Sequence, residues 1–143
     1  MYMRRVSALE HEYKIELSKR RIELAHERMN TAGILLDAGD YKSVANRLYY
    51  AIFSAMRAVL ALDGFDSKKH SGIIARFRQS YIKTGTFSTE MSKIIDDLEV
   101  IREDSDYDDF YIISKEDVML QYQRAEFFVS EVERYLQVQY SQT

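Results

Sequence analysis

The sequence contains neither cysteine nor proline, and only five of its 143 residues are glycine. Without cysteine, disulfide bonds, zinc sites built on thiolates and thiol nucleophiles are excluded. Because tight turns depend on glycine and proline, their scarcity argues against a sheet protein and favours a few long helices. The sequence also lacks any apolar run of the roughly 20 residues that span a bilayer, and its charged N-terminal segment is unlike a signal peptide. We therefore expect a cytoplasmic, all-α protein.

The charges nearly balance, with 20 lysines and arginines against 23 aspartates and glutamates and a net charge of −3. This weakly acidic balance argues against a broad surface for nucleic acid but leaves room for a local basic cleft. The length, with 46% hydrophobic residues, fits one globular domain spanning residues 1–143.

Three glycines divide the chain into segments with the apolar spacing of helices. Gly39, Gly64 and Gly85 each follow such a segment, and helices often end on a glycine in the left-handed region. Residues able to cap the N-terminus of the next helix are Asp40, Ser67, Ser88 and Ser114. The pattern predicts an antiparallel bundle of four to five helices, with helical segments at residues 7–37, 41–62, 68–82, 89–105 and 115–138.

The second predicted helix is apolar on two sides. Its main stripe comprises Val44, Leu48, Ala51, Ile52, Ala55, Val59 and Leu62. Tyr50 and Phe53 lie on the other side of the same helix. Because a small domain usually covers a second apolar face with a partner, we predict a homodimer with Tyr50 and Phe53 in its interface.

The fourth predicted helix carries an arginine within its apolar face. At 100° per residue, Arg102 falls in the middle of the face that Ile95 and Leu98 define. A guanidinium group cannot lose its charge and is costly to bury unpaired. Arg102 must therefore pair with a carboxylate, reach water at the helix end, or line a cleft that holds a ligand. A carboxylate pair near the helix C-terminus is the simplest interpretation.

Residues 103–111 form an acidic segment that contains three aromatic side chains. Acidic runs are usually solvated, but the interleaved Tyr107, Phe110 and Tyr111 predict that this segment packs back on the bundle. Its spacing is not that of a calcium loop.

A single Glu-x-x-His pair is present in the first predicted helix, at Glu23 and His26. Di-iron bundles need a second such pair and two further glutamates, which the sequence does not supply at that spacing. We therefore predict no metal site, and no motif indicates a cofactor.

Three stretches of the chain together resemble the HEPN domain, a small helical bundle of prokaryotes. They are residues 46–53 (Asn-Arg-Leu-Tyr-Tyr-Ala-Ile-Phe), residues 67–72 (Ser-Lys-Lys-His-Ser-Gly), and Arg102 followed by Ser105-Asp106-Tyr107. The resemblance extends over about residues 15–138 and implies a HEPN-like bundle.

The resemblance also implies a chemistry. Many HEPN proteins are metal-independent ribonucleases, in which an arginine is followed four to six residues later by a histidine and two copies form a cleft as a homodimer. Arg102 matches the arginine and would bind the scissile phosphate. Tyr107 stands where the histidine would suit, and no histidine follows His70. Because a tyrosine of ordinary pKa about 10 transfers protons poorly near neutrality, Tyr107 and Asp106 are expected only to shape the site.

Other HEPN proteins resemble toxins whose antitoxin is a minimal nucleotidyltransferase, which can attach adenylate to a tyrosine near the motif. The resemblance therefore implies a transferase partner encoded nearby, with Tyr107 or Tyr111 as the candidate for adenylation.

The best candidate for a basic surface that binds RNA or a nucleotide comprises Arg47, Lys69 and His70, with Lys68, Arg76 and Arg78 near them in sequence. Binding of RNA there would be salt-sensitive. His70 has two interpretations, a polar group that lines the same cleft as Arg102, or a capping or surface histidine.

Two functions of different classes remain open at this point. The first is a toxin-like HEPN protein that acts on RNA beside its transferase partner. The second is a non-catalytic module that uses the same cleft to hold a nucleotide, RNA or the transferase. The absent motif histidine favours the second, while an inward-facing Arg102 fits either.

Overall fold

The computed structural model describes residues 2–142, with side chains described from residue 10 onwards. The helices are α1 (Tyr2–Asp37), α2 (Tyr41–Leu62), α3 (His70–Phe77), α4 (Thr89–Tyr107) and α5 (Lys115–Ser141). A π-helical segment, Arg78–Ile82, directly continues α3. No strand occurs within residues 2–142, which confirms the predicted all-α helical bundle. Because a connection of three residues joins α1 to α2 and the two pack together, they run antiparallel.

The predicted ends of the helices are confirmed at the three glycines. Gly39, Gly64 and Gly85 have φ values of 80°, 71° and 82°. A residue with a Cβ atom adopts this left-handed region only at an energetic cost, so glycine suits these ends.

Two of the four predicted N-terminal caps form through the side chain. Asp40 accepts a hydrogen bond from the amide of Ser43 at the start of α2, and Ser114 accepts one from Asp117 at the start of α5. Ser88 precedes α4 but its side chain makes no capping hydrogen bond. The prediction for Ser67 is wrong, because α3 begins three residues later, at His70.

The predicted helix over residues 68–82 ends as expected, but it begins two residues later and is not α-helical throughout. Lys69, just before α3, has an extended backbone, because Ser67 accepts a hydrogen bond from its amide and holds the chain in a turn. After Phe77 the helix widens to π geometry rather than continuing as an α-helix. Arg78 begins that segment and anchors it to α4, donating to the Ser92 carbonyl at 3.1 Å and to Asp96.

Helix α2 is the centre of the bundle, and α1, α3, α4 and α5 all pack against it. This explains its two apolar sides, because both are covered by helices of the same chain. Its buried residues are Val44, Ala45, Leu48, Tyr49, Ala51, Ile52, Phe53, Ser54, Ala55, Met56, Ala58, Val59, Leu60 and Ala61. An aromatic cluster extends the core towards α5, with the ring of Phe77 5.4 Å from Phe87 and 5.8 Å from Phe128 between centroids.

Of the three aromatic residues in the acidic segment 103–111, two do not pack back on the bundle as predicted. Tyr107 and Phe110 are 80% and 91% exposed, and Ile112 is 88% exposed. Tyr111 packs partly against the core, and Ile113, just after it, is buried in the core. The reason is that α5 starts at Lys115, so the short connection can turn only some of its side chains inward.

The outward faces of the helices are polar and joined by ion pairs. On α1, Arg20 pairs with Glu23 and Glu27 at 3.3 Å each. Across the part of the chain that the structure describes, no helix combines the length and apolar character needed to cross a bilayer.

Candidate functional site

Arg102 faces inward from α4, as the helical spacing predicts. Its side chain is only 16% exposed, and its guanidinium carbon lies 4.6 Å from the centre of the Tyr49 ring on α2. A guanidinium group stacked on an aromatic face gains a cation–π attraction. Asp106, one turn further along α4, accepts a hydrogen bond from Nη1 of Arg102 at 3.3 Å. The arginine is therefore held by a ring below it and a carboxylate beside it.

Tyr49 is the buried residue that joins Arg102 to His70. The tyrosine is 1% exposed, and its hydroxyl group lies 3.1 Å from Nδ1 of His70 at the start of α3. Burial raises the pKa of Tyr49 to about 12, so its hydroxyl stays protonated at neutral pH. Sequence reasoning did not single out Tyr49. The available signal was that a tyrosine on the core stripe of a helix needs a partner for its hydroxyl.

His70 lies within an aromatic cluster but remains exposed at its outer side. Its ring centre is 4.1 Å from Phe53, 5.9 Å from Tyr50 and 6.0 Å from Tyr49. Burial lowers the pKa of His70, and the positive charges of Arg102 and Arg57 lower it further. The imidazole is therefore neutral at pH 7.

Asp106 lies between the arginine and a small hollow on the α2 side. Asn46 donates to its second carboxylate oxygen at 3.5 Å, and this contact is another that sequence reasoning missed. The hollow, of about 230 Å³, is lined by Lys42, Ser43, Asn46, Arg47, Ser105 and Asp106. Arg47 is exposed at its edge, so this predicted binding residue lies beside the site.

A larger cavity, of about 600 Å³, opens on the other side of His70. It is lined by Phe53, Arg57, Asp66, Ser67, Lys68 and His70. Arg57, which sequence reasoning also missed, pairs with Asp66 at 3.1 Å and contributes a positive charge to this cavity. Lys69 is exposed and does not line it, although the preceding Lys68 does.

Three other predicted residues, Tyr107 of the site and Phe53 and Tyr50 of the interface, differ in how exposed they are. Tyr107 ends α4 and is 80% exposed, and among the described side chains it makes no hydrogen bond to Arg102, Asp106 or His70. Phe53 is only 7% exposed because His70 covers it, so it offers little surface to a second chain. Tyr50 remains partly exposed.

The Glu-x-x-His pair on α1 has other partners. His26 is hydrogen-bonded to Glu133 of α5, and Glu23 pairs with Arg20. Among residues 10–142, no three histidine, aspartate or glutamate side chains are grouped so that they could hold a metal ion.

The geometry combines a fixed cation, a neutral imidazole and two adjoining cavities. Nε of Arg102 is buried and has no hydrogen-bond partner within the described part of the chain. Its single carboxylate contact, at 3.3 Å, leaves further donors of the guanidinium group available. The site can therefore bind an anionic group at Arg102 and exchange a proton at His70.

Comparisons with known proteins agree with this fold. Residues 18–135 match the family model described as HEPN domain. The chain is 30% identical to a protein named putative toxin MJ0142 from Methanocaldococcus jannaschii, over 92% of this chain and 89% of that protein. It is 32% identical to a UPF0332 protein from Thermotoga maritima, over 90% and 95% of the two chains. A second Methanocaldococcus jannaschii protein, named putative toxin MJ0605, is 30% identical over 80% of this chain and 85% of its own length.

Proposed function

This chain belongs to the HEPN domain family, and on that premise we propose that it is a toxin-like protein that binds and cleaves RNA at the Arg102 site. The names of its two relatives from Methanocaldococcus jannaschii support a toxin-like role. We further propose that it works as a homodimer beside a minimal nucleotidyltransferase that controls it.

The observation that carries this proposal is the state of Arg102. A cation that is only 16% exposed usually has several hydrogen-bond partners, yet this one has a single carboxylate contact at 3.3 Å and a buried, unpartnered Nε among the described residues. Its partner Asp106 lines one cavity, and His70, which shares Tyr49 with it, lines the other. A phosphate group of RNA supplies oxygen acceptors for the exposed part of the guanidinium group, whose Nε is buried.

The Arg102→Ala variant tests the proposal directly. The purified chain is incubated with a short single-stranded RNA of mixed sequence in the presence of a metal chelator. We expect cleavage by the wild-type chain, and loss of cleavage together with weaker RNA binding in Arg102→Ala. Arg134→Ala is the matched control, since its guanidinium group is 74% exposed on α5. Wild-type cleavage that persists unchanged in Arg102→Ala would contradict the proposal.

The homodimer has its own test at Tyr50. This side chain is partly exposed beside Tyr49 and His70, so a second copy that faces the Arg102 site would contact it. We expect the wild-type chain to sediment as a dimer and Tyr50→Glu to sediment as a monomer. The matched control is Glu27→Gln on α1, which should remain dimeric. A wild-type chain that stays monomeric at high concentration would contradict a homodimer.

The two tyrosines that a transferase partner could adenylate, Tyr107 and Tyr111, differ in their exposure. Tyr107 is 80% exposed, whereas Tyr111 packs partly against the core and burial raises its pKa. We therefore propose Tyr107 as the residue that a cognate transferase would adenylate. After incubation with that enzyme and ATP, mass spectrometry should show one added adenylate, retained in Tyr111→Phe and lost in Tyr107→Phe. An unchanged mass would remove this idea.

A non-catalytic RNA-binding module is the second candidate, favoured by the placement of Tyr107. The residue that stands at the motif position of the histidine is 80% exposed, and no described hydrogen bond joins it to Arg102 or Asp106. If the wild-type chain binds RNA in a salt-dependent way, through Arg102, but leaves it intact, the module is the correct function. Growth arrest on expression, relieved by the neighbouring transferase gene, would support the toxin-like role in either case.

A further inference from the structure

We infer that His70, on α3, is the residue that moves the proton during RNA cleavage, in place of the histidine that the family motif puts after the arginine. This inference rests on the proposed ribonuclease function and adds the identity of its proton-transfer group. It comes from the tertiary structure, because His70 precedes Arg102 by 32 positions in the sequence.

Tyr49 contacts both Arg102 and His70 and so serves as one rigid support for the two side chains. Its ring face carries the guanidinium group of Arg102 at 4.6 Å, and its hydroxyl group binds Nδ1 of His70 at 3.1 Å. The tyrosine is 1% exposed and fixed within the core, so it positions both side chains together. The two side chains are therefore separated by the one tyrosine, and a phosphodiester that bridges this distance would contact both.

The surroundings of His70 suit a general base. From α4 it faces the charge of Arg102, and from α2 it faces the charge of Arg57, the hydroxyl group of Tyr49 and the ring of Tyr50. The two positive charges and partial burial favour the neutral imidazole, which can accept a proton. When Nδ1–H donates to the Tyr49 oxygen, Nε2 is left as the accepting nitrogen.

The proton transfer balances without a metal. Nε2 of His70 takes the proton of the ribose 2′-hydroxyl, and the 2′-oxygen forms a bond to phosphorus while Arg102 binds the non-bridging oxygens. The bond from phosphorus to the 5′-oxygen breaks, and that oxygen takes a proton from water. The hydroxide so formed takes the proton from the imidazolium, which restores His70. The products are a 2′,3′-cyclic phosphate and a 5′-hydroxyl end.

The cavity beside His70 provides space for the nucleoside that carries the 2′-hydroxyl. Its volume, about 600 Å³, is within the range of small-ligand sites, roughly 300–1,000 Å³. Arg57, Lys68 and Asp66 line it, and because Asp66 pairs with Arg57 at 3.1 Å, Lys68 is the cation left to attract a neighbouring phosphate group of a strand. The imidazole of His70 lines the same cavity, so it borders the nucleoside placed there.

The test uses the full-length chain and a short single-stranded RNA of mixed sequence, with a metal chelator present. Four proteins are compared, the wild-type chain, His70→Ala, Arg102→Ala, and His26→Gln as a control with a histidine on α1. We expect His70→Ala to lose at least about 100-fold in cleavage rate while its RNA affinity changes little. Added imidazole should restore part of the activity of His70→Ala, and His26→Gln should cleave as the wild-type chain does.

A second measurement does not depend on activity. The imidazole NMR signals are titrated with pH, with and without inorganic phosphate, and the His70 signal is assigned by its absence from His70→Ala. We expect phosphate to raise the pKa of His70 and to leave His26 unchanged, because the anion at Arg102 offsets the positive charge that acts on His70.

The outcomes separate the two proposals. If the wild-type chain cleaves RNA and Arg102→Ala does not, but His70→Ala cleaves at the wild-type rate, the inference about His70 is overturned and the proposed function stands. If the wild-type chain cleaves no RNA, the proposed ribonuclease and the role of His70 are overturned together. Loss in His70→Ala with rescue by imidazole supports both.

Discussion

The hydroxyl group of Tyr49 and Nδ1 of His70 lie 3.1 Å apart, although the two residues are 21 positions apart in the sequence. The same tyrosine ring lies under the guanidinium group of Arg102. A buried tyrosine therefore links an imidazole from α3 with a cation from α4, and each prediction about the site depends on that link.

Replacing Tyr49 with phenylalanine should separate the two functions of this side chain. Tyr49→Phe keeps the ring under Arg102 but removes the hydrogen bond to His70, so RNA binding should persist while cleavage falls. The free energy of unfolding should decrease by about 1 kcal/mol, the usual net contribution of one hydrogen bond. Denaturant unfolding, RNA affinity and cleavage rate are measured in parallel.

The positioning role of Tyr49 has a readout that a loss of stability alone would not produce. The pKa of His70, followed by NMR, should change in Tyr49→Phe and remain unchanged in the control Tyr50→Phe, whose ring only contacts His70 edge-on. An unaltered His70 titration in Tyr49→Phe would argue against the link.

The stability of the protein should decrease in mild acid because of His70. Burial, Arg102 and Arg57 lower its pKa in the folded state below the ordinary 6.5. In this pH range the folded state binds fewer protons than the unfolded state. The free energy of unfolding therefore falls as pH drops from 6.5 towards the folded pKa. Urea unfolding at about pH 7.5 and about pH 5.5 measures this change, with reference to the ordinary histidine value.

The variant His70→Gln removes this contribution and should flatten the decrease between those two pH values. Asp66, whose pKa lies below its ordinary 3.8, provides a contrast in a different range. Its contribution is present above pH 3.8 and is lost only as pH falls through the folded pKa. An equally steep decrease between about pH 7.5 and 5.5 in His70→Gln would contradict the assignment to His70.

Two serines at helix N-termini form a matched pair for a stability test. Ser114 accepts a hydrogen bond from the Asp117 amide at 3.1 Å, whereas Ser88 makes no such bond. Ser114→Ala should lower the free energy of unfolding by about 1 kcal/mol, and Ser88→Ala should change it by less. Equal effects in thermal or urea unfolding would show that the side-chain cap of α5 contributes nothing.

A second pair compares aromatic residues in the core and on the surface. Phe77 is fully buried and packs against Phe87 and Phe128, so Phe77→Ala leaves a cavity and should cost about 3–5 kcal/mol. Phe110 is 91% exposed, and Phe110→Ala should stay within about 0.5 kcal/mol of the wild-type chain. Similar midpoints of denaturant unfolding for the two variants would be inconsistent with this core.

Much of the fold could be predicted because local rules govern it. The positive φ angles at Gly39 and Gly64 and the cap at Asp40 follow from residue type and apolar spacing. The start of α3 could not be predicted in the same way. A turn closed by the Ser67 side chain competes there with the helix, and both are compatible with the local sequence.

The candidate site was predictable only in part. Helical spacing placed Arg102 on the inner side of α4, and the same reasoning could not show that Tyr107, five residues later, ends the helix facing solvent. Neither could it show that His70 covers Phe53 and thereby removes most of that residue from any interface.

The order of residues alone determined that this protein is helical, where most of its helices end, and that one arginine faces inward. These properties depend on the spacing of apolar side chains and on backbone preferences that act over a few residues. Tertiary structure alone decided that the arginine would meet Tyr49 and that His70 would stand beside them. Contacts between helices depend on how the whole core packs, and no local pattern encodes which side chains that packing brings together.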